Sequence, residues 1–483
     1  TKVSIGKSNK LISQKPTEYG ICFDSLNTRM RLDVESFPIV IIDESEQVFT
    51  HLNSASMKRP IKNFEIISEL IGKASHVYCL DADLGEISMD GVLGCLKQYE
   101  ISRRNPDENS IKRNSKIYFH LNEFKQKTNS LNLYSSKYQL AGCLYGSLNE
   151  GKKCYVTSNS KREIEALYLF FNKKFPNKKL LLVTSENSNE QNIRKLIADI
   201  KNTVIEYDAI FSSPSLGTGI DITFDDEEKV VDCVYGFFGS KINTHFDLDQ
   251  QLGRVRHPKE IRVWIDEGTS DAIADFTIIR QELIDKLDIP SQALKITNLG
   301  VDFTLSQNPF FDLVAKILVI RRESQRNFKS NFVNYKEAQG WIIIDEKYDK
   351  NREDFGKTLY GIGKEFVEID YEIKILEAPI ISFKEYQDLE KRKSREDGLQ
   401  ISQDERISIQ KFWINRIYKC EINSELLKLD DRGRFREALN IYAGLSLSPL
   451  NALKLKSEFN RLELAILAIN EPMVSIDTYE KVF

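Results

Sequence analysis

The sequence reads Asp-Gln-Gln-Leu-Gly-Arg-Val-Arg from Asp249 to Arg256, and the apolar run Ile-Arg-Val-Trp-Ile follows at Ile261–Ile265. This pattern predicts a helix that ends near a glycine, delivers two arginines and leads into a strand. Arginine keeps its charge and binds phosphate through a planar guanidinium group. The stretch is therefore suited to present Arg254 and Arg256 to a phosphate group.

A second informative stretch, Ile39–Glu46, reads Ile-Val-Ile-Ile-Asp-Glu-Ser-Glu. An apolar, β-branched run that ends in carboxylates is typical of a buried parallel strand, and ligands bind at the carboxyl edge of such sheets. Asp43 is suited to hold Mg²⁺, and Glu44 to polarise an attacking water molecule. Taken alone, the pattern fits equally well a strand that ends in an acidic surface loop.

A third stretch, Ala209–Ile222, begins as a short apolar strand and continues as a loop of small, hydroxylated and glycine residues. Glycines allow the backbone to approach a phosphate group or a nucleic-acid backbone closely. Asp221, at the end of this loop, is placed to contact the nucleotide or to orient an arginine. An ordinary turn between strands is the alternative interpretation.

The three stretches, taken in their order along the chain (Ile39–Glu46, Ala209–Ile222 and Asp249–Arg256), resemble motifs II, V and VI of the superfamily 2 helicases. Three further segments resemble other motifs of that family: Ile21–Arg29 resembles motif Ia or Ib, Val77–Asp83 motif III, and Lys153–Ser160 motif IV. The resemblance covers about residues 18–266. It implies ATP and Mg²⁺ as cofactors, and two RecA-like lobes with the nucleotide at their interface.

The resemblance also implies a role for each residue that matches a motif position. The implied catalytic residues are Glu44, Gln250, Arg254 and Arg256. The implied cofactor-binding residues are Asp43, which would also hold the metal ion, Gly219 and Asp221. The residues implied to contact the nucleic-acid backbone, without regard to base sequence, are Ser25, Asn27, Thr28, Arg29, Ser158, Ser160, Lys161 and Thr218.

Two departures from the commonest motif forms narrow the resemblance. Arg256 comes two residues after Arg254, whereas many superfamily 2 members place the second arginine three residues after the first. The short Gly-Arg-Val-Arg form is similar to replication-origin-binding helicases of the herpesvirus type and to helicase domains of plasmid and phage replication proteins. The acidic box is Asp-Glu-Ser-Glu, which argues against the RNA-remodelling branches. A role in replication of a plasmid, phage or other mobile element is therefore expected.

A phosphate-binding loop of the pattern G-x-x-x-x-G-K-[ST] does not occur in the sequence. Gly6-Lys7-Ser8 matches only its closing triplet, and the chain begins with Thr1. The family places this loop before motif Ia, so the expectation is a chain that begins partway into the first lobe. The alternative is a lobe that never bound ATP.

The composition is that of a globular chain: 41% of its 483 residues are hydrophobic, including 27 Phe and 19 Tyr. The formal net charge is −4, so nucleic acid would have to meet local basic stripes. Seven scattered cysteines, without a C-x-x-C pair or a Cys/His cluster, indicate a reduced, cytoplasmic protein without structural zinc. No apolar run approaches membrane-spanning length, so no membrane partner is expected.

The expected fold class is α/β, with tandem RecA-like parallel-sheet lobes followed by a mainly helical C-terminal domain. The predicted domains are a first lobe at residues 1–125, incomplete at its N-terminus, a second lobe at 126–272 and the helical domain at 273–483. Predicted strands lie near residues 18–24, 38–43, 76–81, 153–157, 179–184, 208–213, 230–236 and 261–265. Predicted helices lie near residues 62–72, 161–174, 190–200, 247–254, 270–288, 308–326 and 381–396. Two extended segments, Trp341–Ile344 and Ile373–Leu376, are expected to form a small sheet or bridge.

These observations predict a nucleic-acid-dependent ATPase, a DNA helicase that acts on single-stranded or forked DNA beside other replication proteins. Two other classes stay open: a non-catalytic DNA-binding or assembly module with a degenerate core, and a translocase for restriction or defence. The missing phosphate-binding loop favours the module. The sequence contains both the acidic pair Asp43-Glu44 and the arginines Arg254 and Arg256. This combination favours the enzyme, because a module that does not hydrolyse ATP needs neither set of residues. No nuclease or methyltransferase signature supports the translocase.

Overall fold

The computed structural model of the protein forms two compact units. It describes residues 20–26, 37–54, 57, 59–103, 116–120, 129–187, 190–214, 221–224, 228–268, 272–294, 308–393 and 401–439. The first unit lies within Thr1–Asn122 and Asp271–Glu323, and the second within Glu123–Ser270 and Ser324–Phe483. Residues 273–483, predicted as one domain, are thus divided between the two units.

The first unit contains a two-stranded parallel sheet. Strand β1 (Ile39–Asp43) pairs with β2 (His76–Leu80), with Asp43 opposite Leu80. The helices of this unit are α1 (Ser45–Thr50), α2 (Pro60–Lys73), α3 (Glu86–Arg103), α9 (Phe276–Leu294) and most of α10 (Pro309–Arg326).

Apolar residues three and four positions apart give α2 one buried face, with Phe64, Ile67 and Ile71 at its centre. This face lies in one hydrophobic core with Ile42 of β1 and Phe310 of α10. The core therefore joins the segment around residue 310 to the N-terminal sheet, which explains why α9 and most of α10 group with the first unit.

The other face of the β1–β2 sheet is apolar and open to solvent. Ile39 and Ile41 are 54% and 63% exposed, and Tyr78 and Leu80 are 49% and 50% exposed. Parallel sheets are ordinarily covered on both faces. Within the residues that the structure describes, this sheet is covered on one face only.

The second unit is built on a sheet of seven parallel strands. In chain order they are β3 (Ser130–Tyr134), β4 (Cys154–Ser158), β5 (Leu180–Val183), β6 (Ala209–Ser212), β7 (Cys233–Phe238), β8 (Glu260–Ile265) and β9 (Ile342–Asp345). Across the sheet the order is β5-β6-β4-β7-β8-β3-β9. Because every pair is parallel, all carboxyl ends lie along one edge.

Helices cover both faces of this sheet. They are α4 (Lys137–Asn149), α5 (Lys161–Lys174), α6 (Gln191–Ala198), α7 (Ile200–Val204), α8 (His245–Leu252), α11 (Phe328–Ala338) and α12 (Lys350–Glu377). A hydrophobic core therefore lies on each face of the sheet. In the central strand β7, Val234 and Phe238 lie in one core, and Tyr235 and Phe237 lie in the other. The doubly covered sheet is the arrangement expected for parallel strands.

Helix α12 crosses α4 and α5 with its backbone close to theirs. A Cβ atom at Gly356 would lie 1.8 Å from the carbonyl oxygen of Tyr138, and one at Gly363 would lie 2.4 Å from that of Ala166. The two glycines are about two helical turns apart and share one face of α12. The lack of side chains at these positions permits the crossing.

Three shorter helices follow: α13 (Phe383–Lys393), α14 (Gln403–Tyr418) and α15 (Ser424–Asp430). Helices α14 and α15 pack on the C-terminal half of α12 around Ile375 and Ile414. Asp430 is fully buried, and its carboxylate accepts hydrogen bonds from the Arg436 guanidinium (Nε to Oδ1 2.5 Å, Nη2 to Oδ2 3.0 Å) and the Tyr418 hydroxyl (3.0 Å). This carboxylate fixes the end of the described chain to α14.

The predicted fold class is confirmed: the chain is an α/β protein with parallel sheets and a helical C-terminal region. Ile342–Ile344 of the predicted segment Trp341–Ile344 belong to β9 of the large sheet, not to a separate small sheet. None of the helices in the described ranges combines the length and apolarity needed to cross a membrane.

Two predicted extended segments are wrong. In the described part of residues 18–24, Phe23–Ser25 form a 3₁₀ turn, because this turn buries Phe23 together with Leu26 three residues later. Ile373–Leu376 lies inside α12, where Ile375 faces α14 and α15. Tertiary packing decides the conformation of both segments.

Candidate functional site

The carboxyl ends of β1 and β2 carry the acidic residues of the first unit. Asp43 ends β1 with an exposed side chain. Glu44 follows with φ 50° and ψ 53°, a left-handed conformation that costs a residue with a side chain about 1–3 kcal/mol. The turn leads directly into α1, whose first residue, Ser45, is buried. Asp43 and Glu44 thus lie at the sheet edge where ligands of α/β folds bind.

Hydrogen bonds fasten this turn to the segment after β2. The backbone N–H of Glu46 donates to one Asp81 carboxylate oxygen at 2.9 Å, and that of Asp83 donates to the other at 2.8 Å. The Glu46 carboxylate accepts from the N–H groups of Gly85 and Ser88, each at 2.8 Å, and so caps α3. The sequence reasoning did not single out Glu46, which ties the two acidic segments together.

Asp43 fits the chemistry of a magnesium–nucleotide complex. Mg²⁺ is bound through one or two carboxylates, waters and substrate phosphates, not by a cage of protein ligands. Among the described residues, no group of three His, Cys, Asp or Glu side chains is placed to hold a metal ion. An exposed carboxylate at a sheet edge therefore suits an ion that arrives with its nucleotide, and Asp43 stays the predicted ligand.

In the second unit, β4 ends in a turn whose polar side chains bind one another. The fully buried Ser158 hydroxyl accepts from the Ser160 N–H at 3.1 Å and donates to the Glu163 carboxylate at 3.5 Å. The Ser160 hydroxyl caps α5 by accepting from the Glu163 N–H at 3.4 Å. In this arrangement Ser158 stabilises the turn and does not present its hydroxyl to solvent, whereas Ser160 is half-buried.

Glu163 is a residue of this turn that the sequence reasoning missed. It also accepts a hydrogen bond from Lys137 at 2.9 Å. Its position three residues after Ser160 is the spacing of a capping box, which is the signal that could have found it. Lys161, predicted to contact nucleic acid, is 37% exposed and pairs with Glu165 at 3.5 Å and with Glu186. A phosphate group at Lys161 would compete with these carboxylates.

Backbone hydrogen bonds join the segment after the serine-rich loop to the arginine segment. The Ile222 N–H donates to the Arg254 carbonyl at 2.7 Å, and the Arg256 N–H donates to the Ile222 carbonyl at 3.3 Å. Ile222 pairs with Val255 in a parallel bridge, and both are 3% exposed. The structure thus brings together two stretches that the sequence assigned to one site.

Arg256 and Asp221 form an exposed ion pair at this junction. The Arg256 Nε lies 3.1 Å from each Asp221 carboxylate oxygen, and the side chains are 60% and 46% exposed. Exposed ion pairs contribute only about 0–1 kcal/mol. The arrangement therefore suits a guanidinium that exchanges a carboxylate for a phosphate at small cost.

The two glutamines before the arginines have different surroundings. Gln251 is buried, and its side-chain oxygen accepts from the Thr157 hydroxyl at 3.3 Å, which ties the end of α8 to β4. Gln250, the predicted catalytic residue, is half-buried, as is Arg254. Burial raises the pKa of the Tyr155 phenol, and the nearby Arg254 guanidinium opposes this effect.

Several predicted site residues lie outside the described part of the chain: Asn27, Thr28, Arg29, Thr218 and Gly219. The triplet Gly6-Lys7-Ser8 lies outside it as well. Ser25 is described and is half-buried in the short 3₁₀ turn. Asp43 and Glu44 belong to the first unit, and the arginine segment belongs to the second.

Because His245, the first residue of α8, is partly buried, the stability of the protein is expected to depend on pH. Burial lowers its pKa to about 4, whereas an unfolded histidine titrates near 6.5. Because the unfolded state binds the proton more tightly, the stability that His245 contributes above about pH 6.5 is lost as the pH falls to about 4. His245→Gln should therefore flatten the decline of the free energy of unfolding over this range, measured by urea unfolding at successive pH values. Parallel declines in the two proteins would contradict the assignment.

Comparison with known proteins supports a helicase-like core in this chain. The chain is 24% identical over 422 residues to the "Putative helicase/primase complex protein" of a Kenyan pig isolate of African swine fever virus, an alignment that covers 81% of this chain and 36% of that protein. It is 26% identical over 343 residues to the protein of the same name from a Malawian tick isolate, covering 66% of this chain and 28% of that protein. The chain spans about a third of the length of these relatives.

No known protein-family model matches the chain. Among solved structures it is similar to Cas3 of T. fusca, with 13% identity and a TM-score of 0.33 over 62% of this chain and 38% of that chain. A score at this level does not establish a shared fold. The fold assignment depends on the parallel strand pairing of the chain itself.

Proposed function

We propose that the protein is a nucleic-acid-dependent ATPase, a DNA helicase of superfamily 2 type. The observation that carries the proposal is the bridge between Ile222 and Val255, which places Asp221 beside Arg256. The acidic pair Asp43 and Glu44 at the carboxyl end of β1 supplies the complementary chemistry. Carboxylates that handle metal and water, together with arginines that neutralise phosphate, are the two requirements of phosphoryl transfer to water.

Each residue has a distinct role in the proposed reaction. Asp43 would hold the magnesium ion, which neutralises phosphate charge when bound. Glu44 accepts a proton from the water that attacks the terminal phosphate. Gln250 orients the reacting groups, and Arg254 and Arg256 stabilise the charge of the transition state. The proposed cofactors are therefore ATP and Mg²⁺.

The proposed polymer is single-stranded or forked DNA, held through its backbone. Ser160 and Lys161, at the start of α5, are the described groups best placed for such contacts, because they lie at the carboxyl edge of the sheet. The relatives bear the name of a helicase/primase complex and belong to a virus. We propose that this chain likewise acts in the replication of a viral or mobile genome, together with other replication proteins.

Replacement of Glu44 by glutamine tests the proposal. Hydrolysis of ATP by the full-length protein should be stimulated by single-stranded DNA, and Glu44→Gln should lower it by about 100-fold or more, because general-base catalysis contributes at least that factor. Glu86→Gln, which alters an exposed carboxylate in the first turn of α3, is the matched control and should keep full activity.

Two results would count against the enzyme. Absence of hydrolysis by the unmodified full-length protein would leave a non-catalytic DNA-binding or assembly module. Hydrolysis that persists in Glu44→Gln would remove this residue from the reaction. Strand displacement from a forked duplex separates a helicase from a motor that translocates without unwinding.

A further inference from the structure

A buried lysine of the C-terminal region binds the helix that carries the arginine segment. Lys336 of α11 is 3% exposed, and its ammonium group lies 2.6 Å from a carboxylate oxygen of Asp249 in α8. The same group donates to the Gln339 side-chain oxygen at 2.9 Å and lies 3.9 Å from the centre of the Trp341 ring. A lysine is seldom buried unless its charge is paired, so Asp249 is the partner that permits this burial.

Two more contacts hold the same helix to the same region. The Ser324 hydroxyl lies 2.9 Å from the backbone nitrogen of His245 and 2.8 Å from its Nδ1. The ring of Phe246 packs edge-on against Tyr335 at 5.2 Å. Residues in the first and second turns of α8 are thus fixed by the end of α10 and by α11. These contacts oppose rotation or sliding of the helix.

We infer that Lys336 is a positioning residue, which fixes the register of α8 and thereby the place of Arg254 and Arg256; this inference rests on the proposed function. Asp249 directly precedes Gln250, and the arginines follow the end of the helix within a few residues. A buried ion pair is weak evidence for stability, and its best-attested use is to fix one packing register over others. A displacement of about 1 Å in a catalytic group can lower turnover about 100-fold.

The test uses variants that separate the effect of Lys336 on the placement of the arginines from its effect on the stability of the protein. Lys336→Met leaves the half-buried Asp249 carboxylate without its partner and should lower both the melting temperature and kcat. The double variant Asp249→Asn with Lys336→Met removes both charges, so its melting temperature should recover while kcat for DNA-stimulated ATP hydrolysis stays about tenfold or more below that of the unmodified protein. KM for ATP should change little, because the arginines act mainly on the transition state.

Lys329→Met is the matched control on the same helix. Lys329 pairs at 2.7 Å with Glu267, which lies outside α8 and whose side chain is 73% exposed. This variant should keep the kcat of the unmodified protein.

The outcomes distinguish the inference from the proposed function. A double variant that recovers kcat together with its melting temperature would overturn the inference, since Lys336 would then serve stability alone. Equal losses of kcat in Lys329→Met and Lys336→Met would overturn it too. Absence of ATP hydrolysis in the unmodified protein would instead overturn the proposed function, and the inference with it.

Discussion

Replacing Gly356 by alanine should destabilise the second unit by about 3 kcal/mol. The new methyl group would lie 1.8 Å from the Tyr138 carbonyl oxygen and 2.5 Å from its carbon, both of which are backbone atoms. No rotamer change can relieve this contact, so α12 must move away from α4. The gain of about 1 kcal/mol that alanine brings to a helix interior offsets only part of the loss.

Gly361→Ala on the same helix supplies the control. A Cβ atom at Gly361 meets nothing within 4 Å, so this variant should stabilise the protein by up to about 1 kcal/mol. Urea unfolding of the three proteins, followed by circular dichroism, measures the difference. Equal effects of the two substitutions would show that the close crossing of α12 does not govern stability.

Removal of the Arg436 side chain by Arg436→Leu should cost about 3–5 kcal/mol, the range found when one partner of a buried ion pair is removed. Asp430 is 0% exposed, and Arg436 donates to both of its carboxylate oxygens. Without Arg436, the Tyr418 hydroxyl is the remaining described side-chain donor to this carboxylate. The packing of α14 and α15 should loosen, which hydrogen exchange of Gln403–Asp430 would report together with the free energy of unfolding.

Arg434→Leu is the matched control, because the Arg434–Asp431 pair is 71% and 48% exposed. An exposed pair contributes less than about 1 kcal/mol, so this variant should unfold nearly as the unmodified protein does. A similar loss of unfolding free energy in both variants would mean that the burial of Asp430 does not determine how strongly its ion pair with Arg436 stabilises the protein.

The sequence predicted the elements with the strongest local pattern. Strand β4 (Cys154–Ser158) is buried at every position, and the sequence predicts a strand within one residue of these bounds. Strand β3 is absent from the predicted strands, although Ser130–Tyr134 alternates leucine with polar residues as a half-buried strand does. Its identity as a strand depends on pairing with β8 and β9, which are distant in the chain. Local pattern carries no information about such partners.

The same limit applies to the candidate site. Asp43, Glu44, Arg254 and Arg256 were found because each stands in a contiguous motif beside a strand. The supporting contacts join residues far apart in the chain. Glu46 and Asp81 are separated by 35 positions, and Asp249 and Lys336 by 87. Their roles became visible only when the fold placed them together.

The edge strand β9 sets a practical limit on how this protein can be divided for production. A polypeptide that stops at residue 272, the predicted end of the second lobe, would lack the strand that pairs with β3 and the helices α11 and α12. Its free strand edge and bare apolar helix faces would promote aggregation. A soluble preparation of the arginine-bearing half should therefore extend at least through Glu377, so that both the sheet edge and the faces of α4 and α5 stay covered.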